Sequence, residues 1–179
     1  QPQPLGVVGI MVPWNYPLFL AVGPMIDALV AGNRIMIKMS EAAPQFAQTF
    51  AETISRYFSP DMVSVVIGEV EIAEAFSKLP FDHLLYTGST AVGKKVMAAA
   101  APNLTPVTLE LGGKSPVVVL EGANLENAVN RVMMGKTLNA GQTCIAPDYV
   151  LVQRQYHEEF TRLAKEWMEK HYPNIADNP

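Results

Sequence analysis

The 179 residues contain a single cysteine, Cys144, inside the string Gly141-Gln142-Thr143-Cys144-Ile145-Ala146-Pro147. Glycine and proline mark that string as a loop between a helical and an extended segment. There a thiol can be reached by a substrate and, as thiolate, act as a nucleophile. The competing reading is an inert small hydrophobe. Glu110 interrupts an apolar, strand-like run just ahead of Gly112-Gly113. A carboxylate lodged among apolar neighbours suits proton transfer near neutrality, whereas at a solvated strand edge it is only surface charge. Taken singly, each residue leaves both readings open.

Phosphate chemistry has one candidate, Gly88-Ser89-Thr90-Ala91-Val92-Gly93-Lys94-Lys95, between an extended segment and a helical one. A P-loop needs Ser or Thr after its lysine to hold magnesium, and Lys95 stands there instead. The other Gly-Lys-Ser, Gly113 to Ser115, has Thr108 where the leading glycine belongs. The dinucleotide fingerprint of three spaced glycines is absent as well. Gly88 and Gly93 therefore indicate a helix start beside a strand end, which is either an anion site or a tight turn without a ligand. His157-Glu158-Glu159-Phe160-Thr161 begins like a helical zinc motif, but Thr161 occupies the place of the second histidine. No metal is expected, and the scattered His83, His157 and His171 do not suggest a triad base. Asn103-Leu104-Thr105 matches a glycosylation acceptor, a pattern that matters only in a secreted protein.

Strand and helix patterns alternate along the chain that must position these groups. Leu5 to Val12 is extended, and Pro13 and Pro17 bracket a loop. Leu18 to Val30 is helical and ends at Gly32. Arg34 to Met39 is extended, and Pro44 opens a helix whose stripe of Phe46, Phe50, Ile54, Tyr57 and Phe58 should be core. Extended stretches follow at Met62 to Ile67 and His83 to Thr87, with helices at Glu71 to Leu79 and Ala91 to Ala101. This order predicts right-handed crossovers and a parallel, doubly wound α/β sheet of Rossmann type, with ligands outside the carboxyl ends of the strands. Beyond Pro102 the pattern becomes two extended segments, Pro106 to Leu111 and Ser115 to Leu120, then a helix from Leu125 to Leu138, a strand from Asp148 to Gln153, and an amphipathic helix carrying Phe160, Leu163 and Trp167. A domain boundary belongs near Gly112, with a second α/β domain starting there.

Composition excludes several classes. Thirteen basic residues stand against seventeen acidic ones without a Lys/Arg cluster, so no nucleic-acid partner is expected. One cysteine forms no internal disulfide, which points to a reducing, cytoplasmic setting. No charged residue precedes Asp27, yet Pro13, Pro17, Pro24 and several glycines would break a membrane-spanning helix there. Neither a membrane segment nor a signal peptide is expected. Gln1 at the start and Asn178-Pro179 at the end suggest a piece of a longer protein.

Five strings in order together resemble the aldehyde dehydrogenase superfamily: Pro13-Trp14-Asn15-Tyr16-Pro17, Lys38-Met39-Ser40-Glu41, Tyr86-Thr87-Gly88-Ser89, Leu109-Glu110-Leu111-Gly112-Gly113-Lys114 and Gly141-Gln142-Thr143-Cys144. Phe81 to Gly88 and Leu104 to Glu110 are most similar to its class 3 branch, which includes fatty, aromatic and coniferyl aldehyde dehydrogenases. The resemblance implies an NAD(P)-dependent oxidation of an aldehyde to a carboxylic acid. Cys144 would form a thiohemiacetal and then a thioester, the Asn15 amide and the Cys144 N–H would hold the oxyanion, and Glu110 would activate the hydrolytic water.

The resemblance also implies a cofactor site for NAD or NADP. Lys38 and Glu41 would meet the adenosine ribose, Ser89 after Gly88 the pyrophosphate, Val92 and Gly68 the adenine side, and Trp14 the nicotinamide half, with Val12, Ser40 and Leu111 completing the contacts. Residues 1–110 would then be the dinucleotide-binding domain and residues 111–179 the first part of the catalytic domain. The full-length protein would be a homodimer acting on a small-molecule aldehyde. Two departures bear on the adenine contacts: Met39 follows Lys38 where the family commonly has proline, and Val70 replaces a glycine of many branches. The readings that compete are an acylating or semialdehyde-type dehydrogenase, which the hydrolytic base Glu110 disfavours, and a nucleotide-binding module without catalysis.

Overall fold

The structure is a computed structural model that describes residues 3–174. Gln1, the Asn178-Pro179 end and the last residues of the second expected domain lie outside the described residues. The chain divides between Leu111 and Gly112 into two compact units.

The first unit alternates β1 (Val7–Met11), α1 (Pro17–Val30), β2 (Arg34–Lys38), α2 (Pro44–Tyr57), β3 (Val63–Val66), α3 (Val70–Phe76), β4 (His83–Gly88), α4 (Thr90–Ala100) and β5 (Val107–Leu111). All five strands are parallel, in the order β3-β2-β1-β4-β5. The period-two alternation of the strands divides their side chains between two cores, as a sheet covered on both faces requires. Val8, Ile10, Ile35 and Ile37 pack with Ala21 and Met25 of α1 and Phe50 and Ile54 of α2. Met11, Leu84 and Tyr86 pack on the other face with Phe76 of α3 and Val96 and Ala100 of α4. Leu84, fully buried at the middle of that second layer, is a sensitive position. Leu84→Ala is expected to cost about 2–5 kcal/mol, read as a lower urea midpoint at unchanged slope.

Two expectations change in detail. The first strand starts at Val7 rather than Leu5, because the N–H groups of Leu5 and Gly6 donate to Asn33 Oδ1 at 2.7 and 3.1 Å instead of to a neighbouring strand. Tyr57, read as core, is 78% exposed. The buried line of α2 runs through Ala47, Phe50 and Ile54, and Tyr57 lies three residues on, rotated to the flank of the last turn.

In the second unit β6 (Ser115–Val119) and β7 (Pro147–Val152) pair in parallel. Helices α5 (Leu125–Thr137) and α6 (His157–His171) pack on them around Val119, Val129 and Phe160. Asn124 caps α5 by accepting from the Asn127 N–H at 2.9 Å. Among the described residues no helix is long and apolar enough to cross a membrane.

Candidate functional site

Strand order reverses at β1, whose neighbours β2 and β4 leave it on opposite sides of the sheet. A parallel sheet opens a crevice at such a point, outside the carboxyl ends of the strands. The first unit has a cleft of about 230 Å³ there. Val12 and Trp14 enter it after β1, Lys38, Ser40 and Glu41 at the end of β2, and Gly88, Ser89 and Val92 from β4 and the first turn of α4. Eight of the ten residues assigned to a cofactor from sequence thus line one cavity. Gly68 and Leu111 are not in its lining. Leu111 ends β5 and packs toward Gly93, whose missing Cβ would lie 2.9 Å from Leu111 Cδ2. Gly68 forms the turn after β3 with φ 151°, beneath Ile72.

Lys38 supplies the cleft's buried cation, with 2% of its side chain exposed. Its Nζ donates to the Met39 carbonyl at 2.7 Å and stands 3.8 Å from Glu41 Oε2. Burial pushes the Lys38 pKa below its ordinary value, and the carboxylates of Glu41 and Glu69 pull it back up. An ammonium held beside a carboxylate matches the vicinal hydroxyls of a ribose, since the carboxylate can accept from both. The opposite wall is the start of α4. Ser89 caps that helix, its Oγ accepting from the Val92 N–H at 3.3 Å, and the remaining first-turn N–H groups give the wall a preference for anions.

Tyr86, Met11, Pro13, Met39, Ala73 and Thr87 also line the cleft, although none was assigned to it from sequence. Tyr86 sits in one of the recognised strings, but its part depends on a side chain folding over a glycine. A Cβ on Gly88 would collide with the Tyr86 phenol, its Cζ being only 2.6 Å from that position. Burial raises the pKa of this phenol, and contacts with Ser89 oppose the shift. Gly88→Ala must therefore displace Tyr86 or open the β4–α4 turn. Its expected cost is about 1–3 kcal/mol of stability together with weaker anion binding in the cleft, checked by thermal unfolding and titration calorimetry.

Asn15 belongs to the same unit. It follows β1 and lines a separate, largely apolar groove of about 700 Å³ along α1, with Leu18, Phe19, Val22, Ile26 and Phe46. Glu110 lies near the carboxyl end of β5, paired in register with Thr87 of β4. Because β5 is the last strand, and because Leu109 and Leu111 take the covered face, Glu110 projects from the exposed face of an edge strand. The picture of a carboxylate among apolar neighbours does not hold for the described residues, and the cause is its position in the strand order.

Cys144 lies in the second unit and is exposed. It follows α5 and a short 3-10 segment, Leu138–Gly141, and precedes β7, so it stands at the amino end of a strand. The rule that assigns ligands to carboxyl ends does not predict such a position, and the signals for it are the residue type and the string Gly141 to Pro147 around it. Asn139, Ala140 and Gly141 have φ of 50°, 54° and 77°, and this left-handed run turns the chain into the thiol loop. Among the described residues no group of three or more His, Cys, Asp or Glu is placed to hold a metal ion.

Residues 1–175 match the Aldehyde dehydrogenase family. The chain is 59% identical over 177 residues to a protein of Pseudomonas aeruginosa named probable coniferyl aldehyde dehydrogenase, covering 99% of this chain and 37% of that relative. Among solved structures, the substrate-bound Staphylococcus aureus AldH superposes with a TM-score of 0.93 at 42% identity, over 96% of this chain and 38% of that one. A Mycobacterium tuberculosis aldehyde dehydrogenase complexed with NAD+ does so with a TM-score of 0.85 at 38% identity, over 92% and 35%. The chain thus spans a little over a third of the length of these relatives.

Proposed function

The chain belongs to the aldehyde dehydrogenase family, and from that premise we propose that its protein oxidises an aldehyde to a carboxylic acid with NAD or NADP, through a covalent intermediate on Cys144. The observation that carries the reading is the cleft at the strand-order reversal. Its buried Lys38, the adjacent Glu41 and the capped start of α4 offer ribose and phosphate partners in one cavity. Gly88 has no Cβ to crowd that cavity, and the residues present fit a dinucleotide. Lys38 and Glu41 would hold the adenosine ribose, Ser89 the pyrophosphate, Val92 the adenine side and Trp14 the nicotinamide half. When bound, the dinucleotide supplies the hydride acceptor.

The protein's own residues do the rest. Cys144 as thiolate attacks the carbonyl carbon, forming the C–S bond of a thiohemiacetal, and its exposure in a loop suits that approach. The Asn15 side-chain amide and the Cys144 N–H donate to the oxyanion. After oxidation the acyl group remains on sulfur as a thioester. Glu110 takes a proton from water, hydroxide adds to the thioester carbon, the C–S bond breaks and the carboxylic acid leaves. The exposed face of β5 gives that carboxylate access to solvent. The apolar groove that begins at Asn15 suits the alkyl or aryl part of the substrate, and the coniferyl aldehyde dehydrogenase name of a relative supports an aromatic aldehyde. In this reading the first unit is the dinucleotide-binding domain, the second begins the catalytic domain, and the full-length protein is a homodimer.

The test is an assay of the full-length protein for NADH and NADPH formation with a panel of aromatic and aliphatic aldehydes, with the product identified in the presence and absence of coenzyme A. Free acid formed equally in both supports the proposal. Acyl-coenzyme A as the main product would replace it with the acylating type, and no reduction of either dinucleotide would end it.

A further inference from the structure

The cleft at the strand-order reversal is lined by one phenol, that of Tyr86, a residue only 7% exposed. Tyr86 lies well inside the sheet, in register with Met11 of β1 and Leu109 of β5. Its ring runs beneath the β4–α4 turn between two glycines. A Cβ on Gly88 would take the place of the phenol oxygen, and one on Gly93 would lie 3.6 Å from Tyr86 Cε1. The hydroxyl so placed has a poor partner within the chain. It donates to the Ser89 carbonyl at 3.5 Å, well beyond the roughly 2.5–3.0 Å of a good O–H···O bond. That carbonyl already accepts from the Gly93 N–H at 2.9 Å. Burial pushes the pKa of the phenol above its ordinary value, so it stays protonated and able to donate at neutral pH.

We propose that Tyr86 is a dinucleotide-binding residue: when the cleft fills, its hydroxyl turns from the Ser89 carbonyl and donates to an oxygen of the pyrophosphate. The proposal rests on the dinucleotide reading of the cleft and adds a contact to it. The start of α4 does not serve such an anion with all its donors, because two are spent inside the turn. The Val92 N–H is held by Ser89 Oγ and the Gly93 N–H by the Ser89 carbonyl. A pyrophosphate brings several charged acceptor oxygens and no donor. A hydrogen bond to a charged oxygen is shorter and about twice as strong as one between neutral groups, so exchanging a stretched bond to a shared carbonyl for one to phosphate is favourable. The exchange needs only rotation of the O–H about its C–O bond. The ring stays packed with Met11, Leu84 and Val96.

The measurement compares the full-length parent with Tyr86→Phe by titration calorimetry, using three probes: NAD, ADP, which keeps the pyrophosphate, and adenosine, which has none. Adenosine is read by competition at millimolar concentrations. Phenylalanine keeps the ring beneath Gly88 and deletes only the hydroxyl, so the thermal unfolding midpoint should hardly move. Tyr86→Phe should bind NAD and ADP about tenfold more weakly, with adenosine changed by less than about twofold. Unchanged affinity for NAD and ADP would reduce Tyr86 to a packing group, and an equal loss for adenosine would place the effect in the shape of the cleft. Either result overturns the contact and leaves the cofactor cleft standing. A parent that binds neither NAD nor ADP would overturn the cleft reading itself, and this inference with it.

Discussion

Cys144→Ala is expected to eliminate aldehyde-dependent reduction of the dinucleotide, with a loss of about 10⁴-fold or more in kcat, because no other group in the chain can form the thiohemiacetal and the thioester. The same substitution should hardly affect the fold. The thiol is exposed and fills no cavity, so the change in unfolding free energy should stay within about 0.5 kcal/mol. The cleft proposed to hold the dinucleotide belongs to the other unit, so dinucleotide affinity is expected to persist. Stopped-flow absorbance for reduced dinucleotide, paired with titration calorimetry and thermal unfolding, separates these effects. Residual turnover at a few per cent of the parent rate would remove Cys144 as the nucleophile.

Glu110→Gln should separate the two halves of the reaction. Hydrolysis of the thioester is expected to slow by about 10²–10⁴-fold, the usual contribution of a positioned general base. Thiohemiacetal formation and oxidation do not use this base in the proposed mechanism. The variant should therefore still release one equivalent of reduced dinucleotide per site in a rapid burst and then stall with the acyl group on sulfur. Intact mass spectrometry of the stalled protein would detect the added acyl mass. Glutamine has nearly the same shape, and position 110 is exposed on an edge strand, so the sheet should tolerate it. A steady-state rate equal to the parent would show that another group activates the water. Loss of the burst as well would assign Glu110 to the oxidation half.

The two predictions differ in how far the sequence anticipates the setting of each residue. Cys144 was recognisable by type and by its loop of Gly141 and Pro147, and the structure places it in such a loop, exposed. Glu110 was recognisable as a charge within an apolar run, but the reading of apolar surroundings failed. The run alternates, so Leu109 and Leu111 turn inward and Glu110 outward, and nothing local to residues 107–111 states that this strand lies last in the sheet. Tyr57 shows the same limit on a helix: its apolar character placed it in the stripe, and the rotation of the final turn took it out.

The strict alternation of strand and helix patterns, written in residues only two to four positions apart, was sufficient to determine the parallel, doubly wound α/β class. Those periodicities reflect backbone geometry that every segment carries by itself. The burial of Lys38 to 2% exposure and the Tyr86 phenol folded over Gly88 arise only when β2, β1 and β4 lie side by side. Electrostatic and steric effects of this kind depend on distances between segments remote in the chain, and strand order alone sets those distances.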